Sequence, residues 1–212
     1  MRFKNTLTRK EIELRFSIII PAHEAENRIK VALDSIKQQT FKDYELIVVC
    51  DACTDHTEEK AKSYGAITKA VNFKQDGYTR NTGIDMAQGE WVLFMDDDDW
   101  FLHEYVLAQL DEKLKEVPNI DVLCFSFIFK GWMYAKPQGN NGCHWIAVWN
   151  KCWRREFIGN TRFSHRYAVS DVDFHNAMFH KQPRTYNWDM PMYYYNFMRK
   201  GSISEERYKG KR

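Results

Sequence analysis

Apolar and polar positions along the first hundred residues repeat one unit. A short β-branched run at 16–20 stops at Pro21, and Ile29, Leu33 and Ile36 then fall at spacings of four and three. That spacing predicts a helix with a single apolar face. A second apolar run, 46–50, is followed by Asp55 and Glu58 at capping-box spacing, with Asp55 at the N-cap of a helix that Gly65 closes. A weaker strand at 67–73 leads to a helix over 79–88 closed by Gly89. The run 91–95 is wholly apolar and ends in four consecutive aspartates, Asp96 to Asp99.

Strands alternating with helices in this way predict an α/β fold: a mostly parallel sheet with right-handed crossovers. Such sheets bind ligands beyond the carboxyl ends of their strands. Three loops lie at those ends, residues 21–27, 51–55 and 96–100, and are expected to converge on one crevice.

The second half reads differently. Val106 or Leu107, Leu110 and Leu114 mark a helix ending before Pro118, and an apolar strand at 122–129 follows. Residues 136–144, with Pro137, Gly139, Asn140, Asn141 and Gly142, read as a loop. The segment 149–157 is expected to be helical, and another helix is expected to start at Ser170 with Asp171 and Asp173 in its first turn. No internal repeat or linker appears. The expectation is one domain over 1–212, with a sheet half at 1–100 and a differently patterned half at 101–212.

Composition narrows the class. With 44% hydrophobic and 28% charged residues among 212, the chain is an ordinary globular protein and not a disordered, collagenous or coiled-coil one. Its apolar stretch at 122–129 is far short of the ~20 residues that cross a bilayer, and residues 1–15 hold no signal-peptide core. These features lead to the expectation of a soluble, cytoplasmic protein. A net charge of +2 is too mild to imply nucleic acid by itself. Basic residues at the ends (Arg2, Lys4, Arg9 and Lys10; Arg207, Lys209, Lys211 and Arg212) read as solvated termini. Five cysteines without framework spacing favour reduced thiols.

The acidic run is the strongest chemical signal. In extended backbone Asp96 and Asp98 point one way and Asp97 the other. Two carboxylates on one side can hold a hard divalent cation such as Mg²⁺ or Mn²⁺. The plainer reading is a solvated turn that caps the next helix, a role sufficient for Asp99. Other motifs are weaker. Cys50 and Cys53 form C-x-x-C without the second pair a zinc site needs. His23-Glu24 lacks the second histidine of a zinc protease. His144, His165 and His175 are single histidines, and Trp100, Trp145 and Trp149 are aromatic residues suited to a core or to stacking on a sugar. No glycine-rich dinucleotide turn follows the first strand, and no phosphate-binding Gly-Lys-Ser/Thr motif exists.

The ordered runs Phe16-Ser-Ile-Ile-Ile-Pro-Ala-His-Glu, Ala32-Leu-Asp-Ser-Ile-Lys-Gln-Gln-Thr and Tyr44-Glu-Leu-Ile-Val-Val-Cys-Asp-Ala-Cys-Thr-Asp resemble the family 2 glycosyltransferases of GT-A fold. So do Arg80-Asn-Thr-Gly and Gly89-Glu-Trp-Val-Leu-Phe-Met-Asp-Asp-Asp-Asp-Trp, the latter similar to the family's Asp-x-Asp motif. Weaker matches continue through Trp149 to Ile158, Ser170-Asp-Val-Asp-Phe, Tyr193-Tyr-Tyr and Gly201-Ser-Ile-Ser.

The resemblance implies transfer of a sugar from a nucleotide-sugar, a UDP-sugar in the first instance, usually with inversion. Asp98 would ligate Mn²⁺ or Mg²⁺, and Asp96 would touch the ribose or a metal-bound water. Asp51 matches the carboxylate that accepts a hydrogen bond from uracil, while Pro21, Ala22 and Glu24 would frame base and ribose. Arg80 would face the diphosphate or buttress the acidic loop. Inversion needs a base; the family's Glu-Asp pair reads Ser170-Asp171 here, which makes Asp171 the candidate and Asp173 the reserve. Ser170 and Asp173 also have N-capping spacing, which is enough to explain them. The implied acceptor is a glycan or glycolipid precursor; a modified nucleic-acid base, or nucleotide binding without turnover, are the alternatives.

Overall fold

The computed structural model describes residues 14–137, 146–166, 168–200, 202 and 205. The elements run β1 (Phe16–Ala22), α1 (Lys30–Lys37), β2 (Tyr44–Asp51), α2 (Thr57–Ser63), β3 (Ile67–Val71), α3 (Asp76–Met86), β4 (Trp91–Phe94) and β5 (Trp100–Phe101). They continue with α4 (Val106–Glu116), β6 (Val122–Phe129), β7 (Met133–Ala135), β8 (Lys151–Arg154), α5 (Arg155–Ile158), α6 (Ser170–His180) and β9 (Thr185–Tyr195). The basic ends, most of the 136–144 loop, His144, Trp145 and most of the Gly201–Ser204 match lie outside the described residues.

Among the described residues the strands form one sheet in the order β3-β2-β1-β4-β8-β6-β9-β5, with β7 paired to β6. β1 is parallel to β2 and β4, and β2 to β3, as the alternating pattern predicts. Both faces of β1, β2 and β4 are covered, which explains why these strands read as nearly continuous apolar runs, while β3 at the edge is largely exposed. Ile18, Ile20, Leu46 and Val48 face one core with Leu33, Ile36, Leu107 and Leu110. Ile19, Ile47, Val49 and Phe94 face the other with Ile84, Phe174 and Met178. Gly83 lets α3 lie directly on β1, because a Cβ there would collide with Ile19 Cγ2.

Several expectations are corrected. Segment 149–157 is not a helix: Lys151–Arg154 form β8, antiparallel between β4 and β6, and only Arg155–Ile158 turn helical. The spacing of Trp149, Cys152 and Trp153 is ambiguous by itself, and two waiting strand edges decide it in favour of a strand. The helix expected over 79–88 starts earlier, at Asp76, and ends at Met86. Asp55 does not cap α2 in a capping box. His56 holds the N-cap position, Asp55 accepts from the Thr57 amide at 3.1 Å, and Glu58 accepts from Thr68 Oγ1 at 2.9 Å. Nor do Ser170 and Asp173 cap α6, whose N-cap is Val169 with no side-chain capping bond.

Candidate active site

The loops that follow β1, β2 and β4 meet at one end of the sheet. His23 Nδ1 lies 2.6 Å from the Asp51 carbonyl oxygen, Glu24 accepts from the Thr54 amide at 2.8 Å, and the Glu26 amide donates to Asp55 at 2.9 Å. Arg28, at the end of the same loop, grips Asp97 with two bonds of 2.7 and 2.9 Å. Two non-glycine residues at these strand ends, Glu24 (φ 47°) and Ala52 (φ 51°), occupy the left-handed region. Such backbone is uncommon outside glycine and persists where its surroundings dictate it.

Asp51 is buried at the end of β2, and its carboxylate is fully engaged. Oδ1 accepts from the Phe73 and Lys74 amides at 2.7 and 2.8 Å; Oδ2 accepts from the Gln75 amide at 2.8 Å and Thr79 Oγ1 at 2.9 Å. Burial works against its charge, but these donors outweigh it and hold the carboxyl below the ordinary range. The side chain thereby fastens the entry to α3. Of the other residues expected near the base, Ala22 is buried with the core while Pro21 is half-buried. Pro21 sits past the last β1–β4 pair, Ile19↔Phe94, where its missing N–H leaves no gap on that side of the ladder.

The four aspartates do not continue the strand. β4 ends at Phe94 and the chain turns, the Asp99 amide donating to the Asp96 carbonyl at 3.2 Å. The alternation expected for extended backbone is therefore absent, and each carboxylate takes its own partner. Asp96 accepts from Arg80 at 2.8 Å, Asp97 from Arg28, and Asp98 from Arg199 Nε. Asp99, expected to cap a helix, instead accepts from the Tyr193 hydroxyl at 2.7 Å and the Asn196 amide at 2.8 Å. The same Tyr193 oxygen receives the Asp96 amide at 3.1 Å, so one buried phenol ties both ends of the run.

Arg80 is the hub. Rising from the buried face of α3 and 4% exposed, it donates to Asp76 at 2.7 Å and Asp96 at 2.8 Å and lies 3.5 Å from Asp171. Burial opposes its charge, yet Asp171, Asp96 and Asp76 together raise its pKa. Gly77 makes the approach possible: a Cβ there would lie 2.5 Å from the Ser164 carbonyl and 3.0 Å from Ser170 Cβ, so α6 closes on α3 only without one. Burial is also the main cause that pushes Asp96 up to about 7, with Asp171, Asp98 and Asp97 adding to it against the pull of Arg80.

The two base candidates separate in space. Asp171 faces Arg80 and the acidic loop, whereas Asp173 turns to Ser164 Oγ and to Arg166 at 2.9 Å. Three groups were given no role from the sequence: Arg28, Arg199 and Tyr193, the last quoted only within a weaker family match. Each is one polar residue far along the chain from its partner, and only the position of Tyr193 in an aromatic run hinted at a role. Trp149 is buried and stacks on Tyr193 with centroids 4.9 Å apart. His175 stacks on Phe179 at 4.3 Å, and His165 is exposed. Among the described residues no three His, Cys, Asp or Glu are grouped to hold a metal. Cys50 and Cys53 are free thiols, and burial pushes Cys50 up to about 12, far from the thiolate that metal or redox chemistry uses.

Comparison with known proteins agrees with this geometry. A family model described as glycosyl transferase family 2 matches residues 17–185. The amylovoran biosynthesis glycosyltransferase AmsB of Erwinia amylovora is 30% identical over 183 residues, covering 73% of this chain and 60% of that protein. A poly(ribitol-phosphate) beta-glucosyltransferase of Bacillus spizizenii is 36% identical over 103 residues, 44% of this chain and 16% of that one. The chain thus spans less than two thirds of the length of either relative. Among solved structures, S. aureus TarS 1-349 in complex with UDP-GlcNAc superposes with a TM-score of 0.79 at 23% identity, over 90% of this chain and 60% of that chain. A Pyrobaculum calidifontis mannosyltransferase in complex with GDP-Man and Mn²⁺ has a TM-score of 0.68 at 18% identity, over 88% of this chain and 58% of that one. The α/β sheet is that of the GT-A glycosyltransferases, and with its acidic turn at the carboxyl end of β4 the chain belongs to glycosyl transferase family 2.

Proposed function

We propose that the chain transfers a sugar from a nucleoside-diphosphate sugar, a UDP-sugar in the first instance, to an acceptor hydroxyl, with inversion and with a divalent cation. The observation that carries this reading is the arrangement around Arg80: the acidic turn and Asp171 come from opposite halves of the chain and converge on one buried guanidinium. The loops after β1 and β2 meet each other at the same end of the sheet. Pro21, Glu24 and Asp51 are assigned to the nucleotide side, Asp51 through the loop it fastens, and Ala22 as its floor. Neighbours crystallised with UDP-GlcNAc, or with GDP-Man and Mn²⁺, support the donor class.

The donor set suits a hard cation of the Mn²⁺ or Mg²⁺ type. Asp98 offers a carboxylate and Asp96 a second one nearby, too few to cage a metal alone but enough for an ion that completes its shell with water and diphosphate oxygens. Such an ion would supply charge neutralisation for the departing nucleoside diphosphate. Arg199, now on Asp98, would have to release that oxygen, and its freed guanidinium would remain beside the anionic donor. Arg80 keeps the acidic turn and Asp171 in register; Asp171 takes the acceptor proton, since Asp173 is occupied by Ser164 and Arg166. The expected acceptor is a glycan or glycolipid precursor. Among the described residues no helix is long and apolar enough to cross a membrane, and a cytoplasmic setting with soluble donor fits the reading.

Thermal unfolding with UDP, with Mn²⁺ and with both tests it. UDP and Mn²⁺ together should raise the midpoint beyond the sum of the two alone, and Asp98→Ala should abolish that synergy. A synergy that survives Asp98→Ala would remove the metal site from the acidic turn.

A further inference from the structure

Cross-strand register at the far end of the sheet sorts residues into two rows. Phe101, Tyr193, Phe127 and Ala135 are partners on β5, β9, β6 and β7, and all are buried. The adjacent row runs Trp100, Tyr194, Ile128 and Tyr134, again direct partners, and so shares the opposite face. These four are half-buried or exposed, and neither hydrophobic core includes them. Trp100 and Tyr194 stack with centroids 4.0 Å apart at 9°, and the Tyr194 hydroxyl accepts from the Gly131 amide at 2.8 Å. Next to that glycine, Trp132 is 81% exposed, more than any other large hydrophobic among the described residues.

Three strand spacings separate Trp100 from Tyr134, a ledge roughly 14 Å across. It starts at the acidic turn itself, because Trp100 follows Asp99 directly. Aromatic rings with hydroxyl groups at their edges suit a ligand that has apolar faces and polar rims. A sugar ring has that form, its C–H face stacking and its hydroxyls reaching outward. A polyanion does not suit the ledge. Its near end is the aspartate run, and at its far end Lys136 is paired with Asp189 at 2.7 Å, while Lys130 is turned onto the Phe197 ring. Among the described residues few free cations remain there to meet phosphates.

We propose that this row is an acceptor subsite which stacks successive sugar rings of a glycan and delivers its terminal hydroxyl past Trp100 to the acidic turn. The identity of the ligand rests on the transferase reading, and the experiment separates the two. The intact chain is applied to an array of bacterial capsular and cell-wall polysaccharides that also carries single-stranded DNA, beside a UDP and Mn²⁺ thermal-shift measurement. Binding to a subset of the polysaccharides is expected, weakened at least tenfold in Trp132→Ala and in Tyr134→Ala and retained in Tyr134→Phe, with the UDP response unchanged in all three. Trp132 is exposed enough that its variant reports on binding even if Tyr134→Ala disturbs β7. The proposal is overturned if a chain that responds to UDP binds no polysaccharide, if both alanine variants bind as well as the parent, or if DNA is preferred. Polysaccharide binding without any UDP response would leave the ledge standing and remove the donor assignment instead.

Discussion

Asp51 and the Asp96–Asp99 turn stand at the ends of the two parallel strands that flank β1 and carry the same functional group, but the protein treats them in opposite ways. Around Asp51 the donors are backbone amides and one hydroxyl within 28 residues, neutral dipoles that solvate the charge and hold its pKa down. Around the turn, Asp96, Asp97 and Asp98 rely on arginines drawn from other elements. Burial and mutual repulsion raise Asp96, Asp97 and Asp99 despite those partners. A carboxylate saturated by amides has little left to offer a cation. One that is crowded by other carboxylates gains when a doubly charged ion arrives. On the proposed reading, Asp51 acts through the loop it fastens, and the turn is the part that would meet the cation.

Four experiments break or sharpen that contrast. The largest effect is expected from Asp171→Asn, which keeps shape and removes the proton acceptor: transfer should fall by about 10²–10⁴-fold, while UDP binding, followed by calorimetry, stays within twofold. If transfer persists, the base lies elsewhere. Arg80→Ala strands three carboxylates around an empty centre, and loss of one partner from a buried ionic cluster costs about 3–5 kcal/mol. Urea unfolding should show this in the midpoint, and a loss below about 1 kcal/mol would deny Arg80 its role as hub.

Asp51→Asn exchanges an acceptor for an amide that must point its NH₂ at donors. The expected cost is about 1–3 kcal/mol, with protection of the 73–75 amides lost in hydrogen exchange. Full stability combined with lost UDP affinity would reverse the assignment and make Asp51 a nucleotide contact first.

The smallest effect concerns pH. Because Asp96 is raised from 3.8 to about 7, the folded chain holds a proton there that the unfolded chain releases. Its contribution to stability is therefore greatest below that window and declines as pH rises through it. Asp96→Asn should flatten this slope in unfolding measurements from pH 4 to 7. Mn²⁺-dependent UDP binding needs the ionised form and should move the opposite way, strengthening as pH passes about 7. Parallel trends in both would contradict the upward shift.

The first four strands, the helices between them and the acidic turn were legible because each depends on its own residues. Ile29, Leu33 and Ile36 lie on one helical face whatever the surroundings, and all three are buried as that spacing predicts. The strand at Lys151–Arg154 was not legible, since its conformation is imposed by the open edges of β4 and β6 and not by local preference. The direction of the aspartates was misjudged for a related reason. A run of like charges describes a composition, whereas each side chain points toward whichever donor the tertiary fold brings to it.

Local chemistry along the chain thus determined the class of sheet, the place of its loops and the run of carboxylates at the end of β4. Which carboxylate meets Arg80, which meets Arg199, and that Tyr193 closes the turn from 94 residues beyond Asp99 were decided only by the folded structure. Hydrophobic periodicity is a property of short stretches and survives outside its context. An ion pair or buried hydrogen bond exists only when distant segments meet at the right distance.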